Sequence, residues 1–320
     1  MVDRKVKLTK SQDKILTDII SQMEQVEGSW ELPWHELGLQ GNPINIIGGK
    51  PYRGFNRLVL MLKQAESGFR SPVWGTLRQW NRRRSKVILG EKATTLLYPV
   101  FRLNKKGEDQ VAFFRPFWVF NGEQVSNYNP DHPSLFADDE VVETNTISEL
   151  EVLIEKHAIE IDFNGDRACY YRVKDMIEMP LRSSFIGTST STAEESFYAT
   201  LLHDVVHWTG HETRLDRPAH DQRGDDIYAF EELVAEIGSA FLCGDFKITN
   251  SPREDHAKYL ASWLRVLKDD KSQLWKAASK AQHAVDYFTC YSTAPPPQDF
   301  ERPPAFSLEL QSFQPDLFTS

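Results

Sequence analysis

Residues 201–211, LLHDVVHWTGH, set His203 and His207 four positions apart in an apolar run, and residues 230–242, FEELVAEIGSAFL, do the same with Glu232 and Glu236. Four positions is about one helical turn, so on helices each pair shares a face. Two imidazoles so spaced can reach one metal ion, and a zinc site then needs a third protein ligand, which either glutamate can supply. The other face of the second helix carries Leu233, Ile237, Ala240 and Phe241. If the two pairs share an ion, the chain must pack these two helices against each other.

In the HExxH helix of zinc peptidases the intervening glutamate activates the metal-bound water. Here that place is held by Asp204, one methylene shorter. A general base must come within about 2.6–3.2 Å of the proton it abstracts, so Asp204 is the candidate catalytic residue with its reach reduced, while metal binding is unaffected. A glutamate pair on a following helix often supplies one ligand and one acceptor that orients a ligand histidine. Glu232 is the preferred ligand and Glu236 the preferred acceptor, with the reverse assignment open. Zinc is the expected ion, another divalent metal the alternative. His211 is a rival third ligand, but in an HExxHxxGxxH pattern the third histidine falls at position 213, which is Thr213. His211 is expected to shape the site or bind substrate.

The net charge of -9 hides an asymmetry. Residues 1–126 hold 20 Lys+Arg against 12 Asp+Glu, a balance of +8, and the remainder holds 17 against 34, a balance of -17. Two halves so different are expected to have different partners. The first twenty residues carry Lys5, Lys7, Lys10 and Lys14 and no apolar core of a signal peptide, and no stretch approaches the roughly 18 apolar residues that span a bilayer. A cytoplasmic protein without a membrane partner is the expectation. Cys169, Cys243 and Cys290 form no CxxC pair, which excludes a Cys-rich zinc ribbon and reads as reduced packing residues.

Apolar periodicity predicts helices over 8–27, 55–67 and 76–82, then over 146–157, 193–210, 226–243, 252–268 and 271–290. Thr192 followed by Glu195 is a capping-box pattern, and Gly210 is the stop of the helix it opens. Segments 94–103, 111–120 and 168–173 are rich in Val, Phe, Tyr and Leu and predict a small antiparallel sheet. The boundary between halves falls in 126–145, where Pro, Asn and Asp cluster. From Ala294 the chain is Pro-rich with few core positions.

Between 50 and 92 the sequence interleaves Lys50, Arg53, Arg57, Arg78, Arg82, Arg83, Arg84, Lys86 and Lys92 with Tyr52, Trp74 and Trp80. Cations that track phosphates and flat rings that stack bases, each stack contributing about 1–3 kcal/mol, are the means by which single-stranded nucleic acid is held without sequence preference. The competing interpretation is ordinary: tryptophans are usually core, and an arginine run is usually a solvated face. The +8 balance favours the nucleic-acid interpretation.

These residues resemble the ArdC-type antirestriction proteins of conjugative plasmids and phages, whose N-terminal region is similar to that of TraC-type plasmid primases. The resemblance runs through LPWH (32–35), GNPINIIGGKPYRGFNRLVL (41–60), SPVWGTLRQW (71–80), GEKATTLLYP (90–99) and VFNGEQV (119–125). It resumes at YYR (170–172), FYATLLHDVVHWTGHETRLDR (197–217) and YAFEELVAEIGSAFL (228–242). It implies an N-terminal domain that binds single-stranded DNA, a C-terminal zincin-like metallopeptidase domain, and a role in protecting incoming DNA from host restriction. Carried over, the metal ligands are His203, His207 and a glutamate of 231–236, with Asp204 where the family has Glu. The expected architecture is α+β in two domains: 1–130 mixed helix and antiparallel sheet binding single-stranded DNA, and 131–290 mainly helical and zincin-like. Residues 291–320 are expected to be a flexible tail. Three functions stand at this point: a metallopeptidase with a protein or peptide substrate guided by DNA binding, a DNA-protecting protein whose metal is structural, and a replication or primase accessory protein. The last lacks any acidic polymerase-like motif.

Overall fold

The computed structural model describes residues 8–25, 41–103, 109–128, 146–187, 191–218, 226–249 and 256–290. The first half contributes α1 (Lys10–Gln25), β1 (Ile44–Asn45), α2 (Gly54–Ser67), β2 (Val73–Gly75), α3 (Leu77–Arg82), β3 (Thr94–Leu103) and β4 (Asp109–Asn121). The second contributes α4 (Ile147–Lys156), β5 (Glu160–Asp162), β6 (Cys169–Tyr171), β7 (Met176–Glu178), α5 (Ala193–Thr209), α6 (Asp226–Phe246), α7 (His256–Asp269) and α8 (Ser272–Phe288). The architecture is α+β. Each predicted helix is present within a few residues of its expected ends where these are described; residues 26–27 of the first and 252–255 of the helix expected over 252–268 lie outside the described residues, as do 129–145 of the expected boundary and the expected tail 291–320.

Local chemistry accounts for several ends. Thr192 caps α5 with Glu195 returning the hydrogen bond, and Thr76 with Gln79 and Thr146 with Glu149 repeat the device on α3 and α4. Gly68 ends α2 in the left-handed conformation, φ 66°, which a residue without Cβ adopts freely.

The strands form two sheets rather than one. The first has the order β1-β2-β4-β3, with β3 and β4 antiparallel along their length and Thr94 opposite Val119. β3 is its edge, and Asn56 of α2 satisfies that edge by donating to the Leu97 carbonyl (2.8 Å) and accepting from the Leu97 amide (3.0 Å). The expectation that 168–173 joins this sheet is corrected: β6 pairs with β7 in a second sheet, β5-β7-β6, within the acidic half. Short strands carry no mark of which sheet they join, because pairing is set by distant backbone.

One buried apolar cluster runs through both halves, from Leu16, Leu58 and Leu97 to Phe197, Leu233, Phe241 and Leu274. α2 packs on α8 and α1 on α7. Polar ties reinforce the junction: the Gly54 amide donates to Gln282 Oε1 (2.9 Å), Arg57 pairs with Asp245 (3.2 Å) and donates to the Phe241 carbonyl, and Arg53 pairs with Asp286. Within the second half α5 lies against α6 at Gly238, where an added Cβ would stand 2.9 Å from a methyl of Val206. That close approach sets the spacing of the helices that carry the histidines and the glutamates.

Candidate metal centre

α5 and α6 bring three donors together. The Nε2 atoms of His203 and His207 are 3.1 Å apart, and the two carboxylate oxygens of Glu232 lie 3.5 Å from one Nε2 each. These three side chains form the one metal-capable group of histidines, cysteines and carboxylates among the described residues. Two imidazole lone pairs cannot face each other at this distance without a proton or a cation between them, so the donor set fits a divalent ion with nitrogen and oxygen ligands. Burial raises the Glu232 carboxyl, and the nearby His207 and His203, together with a hydrogen bond from Tyr228, outweigh it and hold the group at about 2. The carboxylate is therefore anionic at neutral pH, as a metal ligand must be.

Around this trio stands a set of bracing contacts. Glu236 Oε2 lies 3.2 Å from His203 Nδ1, and Glu231 Oε1 lies 3.5 Å from His207 Nδ1. A carboxylate at Nδ1 fixes the ring orientation and leaves Nε2 for a ligand role. Glu231 is itself held by Arg217 at 2.7 Å, and Arg217 also donates to Thr209 Oγ1 (2.8 Å) and to the Val206 carbonyl (2.6 Å). Glu231, Glu236, His203, Arg217 and Thr209 are buried and His207 nearly so, so the braces work in low dielectric. Glu231, Arg217 and Tyr228 lie in the segments that carry the family resemblance, but their spacing assigns them no role, and only the fold shows them as braces of the trio.

Asp204 is 3 % exposed, and its Oδ1 accepts the backbone N–H of Tyr170 (3.1 Å) on β6, the edge of the second sheet. Its Oδ2 is buried and has no hydrogen-bond partner among the described residues. His211 points to Thr213, Nδ1 to Oγ1 2.8 Å, outside the trio. The loop bearing it is anchored by Arg214, which lies 3.9 Å over the Trp208 ring and pairs with Asp175 (2.8 Å), and by Arg172, which donates to the Gly210 carbonyl (2.9 Å).

The residues expected to meet nucleic acid divide in two. Lys50, Arg78, Arg82, Arg84, Lys86 and Lys92 are exposed and Arg53 and Arg83 partly so. Tyr52, Arg57, Trp74 and Trp80 are buried, which corrects their assignment as base-stacking or phosphate-binding groups. Trp80 donates to the Phe120 carbonyl (3.0 Å), Tyr52 accepts from Asn45 (2.8 Å), and Arg57 is spent on Asp245. Tyr52 and Trp74 join the main core and Trp80 a smaller cluster with Ile46, Val73 and Val125, the ordinary place for large rings.

Fold and site together define a two-part protein of zincin type. Residues 148–280 match the family described as zincin-like metallopeptidase, and residues 9–126 match the N-terminal domain of anti-restriction factor ArdC. The protein y4eC of Sinorhizobium fredii is 31 % identical over 287 residues, covering 86 % of this chain and 90 % of that one. A DNA primase TraC of Escherichia coli is 32 % identical over 296 residues, covering 85 % of this chain and only 19 % of the primase. Among solved structures, the Mn(II)-bound antirestriction protein ArdC from plasmid R388 superposes with a TM-score of 0.68 at 31 % identity, covering 86 % of this chain and 96 % of that one. Its metal-free form gives 0.67 at 32 % identity, with 86 % and 95 % covered. The chain belongs to the ArdC antirestriction family.

No helix among the described residues is long and apolar enough to cross a membrane.

Proposed function

We propose that this protein binds single-stranded DNA without sequence preference through its N-terminal half and holds a zinc or other divalent ion on His203, His207 and Glu232, in the protection of incoming mobile-element DNA. The observation that carries the metal reading is the convergence of two Nε2 atoms and both oxygens of one buried carboxylate within 3.5 Å. The relative crystallised with Mn(II) supports a divalent ion. An ion so placed supplies a Lewis acid that polarises a carbonyl. The chain's own residues do the rest: Glu236 and Glu231 hold the imidazoles in orientation through Nδ1, and Tyr228 and Arg217 hold the glutamates.

Asp204 favours a structural task for the ion over peptide hydrolysis. Its Oδ1 is committed to an edge-strand amide, and its side chain is a methylene shorter than the glutamate of an HExxH helix. In this reading the metal clamps α5 to α6, and the DNA-binding half carries the activity.

Elemental analysis of the purified wild type and of His203→Ala/His207→Ala, with single-strand binding measured on both, tests the first part. About one metal ion per chain, lost in the variant with DNA binding kept, is the expected result; a metal-free wild type sinks it. Chelation then tests the clamp. A site filled at a hundred times its dissociation constant contributes about 2.7 kcal/mol, so stripping the ion lowers the melting temperature by roughly 5 °C or more without changing DNA affinity. An unchanged melting curve after chelation removes the clamp reading.

A further inference from the structure

With Tyr52, Trp74 and Trp80 in the core, the rings that face solvent in the N-terminal half lie elsewhere. The register of β3 and β4 puts Tyr98 opposite Arg115 and Val100 opposite Phe113. Side chains alternate across a strand, so Tyr98, Val100 and Arg102 share one face of the ribbon with Phe113 and Arg115. Both faces are sealed at the base of the ribbon, where Leu96 and Val119 on this face and Leu97 on the other are buried and the Phe114 ring packs 4.4 Å from Trp275 of α8. Further along the shared face Tyr98 is 41 % and Phe113 40 % exposed, Arg102 and Arg115 are exposed, and the Arg102 guanidinium lies 5.9 Å over the Phe113 ring. The opposite face exposes Phe101, Leu103 and Trp118, with no arginine between them.

Rings and guanidiniums therefore alternate on one surface, and no carboxylate stands among these five positions. A partner helix or strand would ask for an apolar patch with few charges at its centre. Cations between flat rings instead complement a polyanion carrying flat, unpaired bases. The half as a whole carries the +8 balance.

We propose that the exposed stretch of the β3–β4 face bearing Tyr98 and Phe113 is the single-strand platform, with Tyr98 and Phe113 stacking bases and Arg102 and Arg115 meeting phosphates. This rests on the reading of the N-terminal half as a single-strand binder and assigns that binding to residues outside the basic 50–92 segment. Stacking is indifferent to base identity because every base has a flat face, which accounts for binding without sequence preference.

The test is fluorescence anisotropy on the full chain with two labelled probes of equal length, oligo(dT) and an abasic oligodeoxynucleotide. Tyr98→Ala/Phe113→Ala loses roughly 30-fold in affinity for oligo(dT) and nothing for the abasic strand. Tyr98→Phe keeps wild-type affinity for both. Arg102→Gln/Arg115→Gln weakens both probes and flattens the dependence of log K on log salt by about 1.4. A double-alanine variant that binds oligo(dT) as the wild type does, or that loses both probes alike, overturns the platform and leaves single-strand binding standing. A wild type that binds neither probe overturns the underlying reading and the platform with it.

Discussion

Asp204 and Glu195, both on α5, show how far the behaviour of a carboxylate depends on what donates to it. Glu195 accepts the amide and hydroxyl of Thr192 through Oε2 (2.8 and 3.0 Å) and the amide and hydroxyl of Thr249 through Oε1 (3.1 and 2.9 Å). Burial raises its pKa, and the four donors outweigh that and leave it below the usual value. A folded-state pKa below the unfolded one gives stability that is present above the unfolded value and lost as pH falls through the folded one. Glu195→Gln therefore lowers the melting temperature at pH 7, and the gap between variant and wild type narrows as pH drops below about 4, near the unfolded glutamate value. Thermal melts at pH 7 and pH 3 check this; a gap that widens in acid refutes it. The capping half of this network was legible in the spacing Thr192 to Glu195, whereas the reach to Thr249 depends on where α6 ends.

At the level of elements, the metal centre exists because α5 and α6 touch. Gly238 permits the contact, and an alanine there presses its Cβ on Val206, whose branched side chain has little freedom to turn away. Overpacking of this kind costs about 1–3 kcal/mol, against roughly 1 kcal/mol that alanine returns through helix propensity. Gly238→Ala is expected to be destabilising by up to about 2 kcal/mol and to weaken metal retention, and Gly238→Ala/Val206→Ala to recover much of both. Urea unfolding and metal content of the two variants decide it; an unchanged or raised midpoint in Gly238→Ala would show that the helices have slack. The helices and the pairs His203/His207 and Glu232/Glu236 were legible because period and spacing are local properties. The second sheet was not, since three-residue strands hold too little pattern to declare their partners. Nor was the division of the rings, because a tryptophan in the core and one on a base look alike in a string of letters.

For the whole molecule, the charge asymmetry pointed to two halves with different partners, and the packing joins those halves through one core. α2 meets α6 and α8 through a buried seam in which Arg57 reaches Asp245 of α6 and Gly54 reaches Gln282 of α8. Removing one member of a buried ion pair leaves the other charge unpaired, at a cost of about 3–5 kcal/mol when fully buried. Asp245 is 19 % exposed in its side chain, so Asp245→Ala should fall toward the lower end of that range. It should shift a single unfolding transition seen alike by DNA-affinity loss and by metal release. Two separate transitions in the wild type would show that the halves unfold on their own.

That seam also bears on how such genes can be shuffled. A chimera joining the first half of one relative to the second half of another keeps its fold only if the residues meeting Arg53, Gly54 and Arg57 arrive with them. Recombination between the halves should then be filtered by α2, α6 and α8, and the surviving hybrids should inherit those three helices as one linked set.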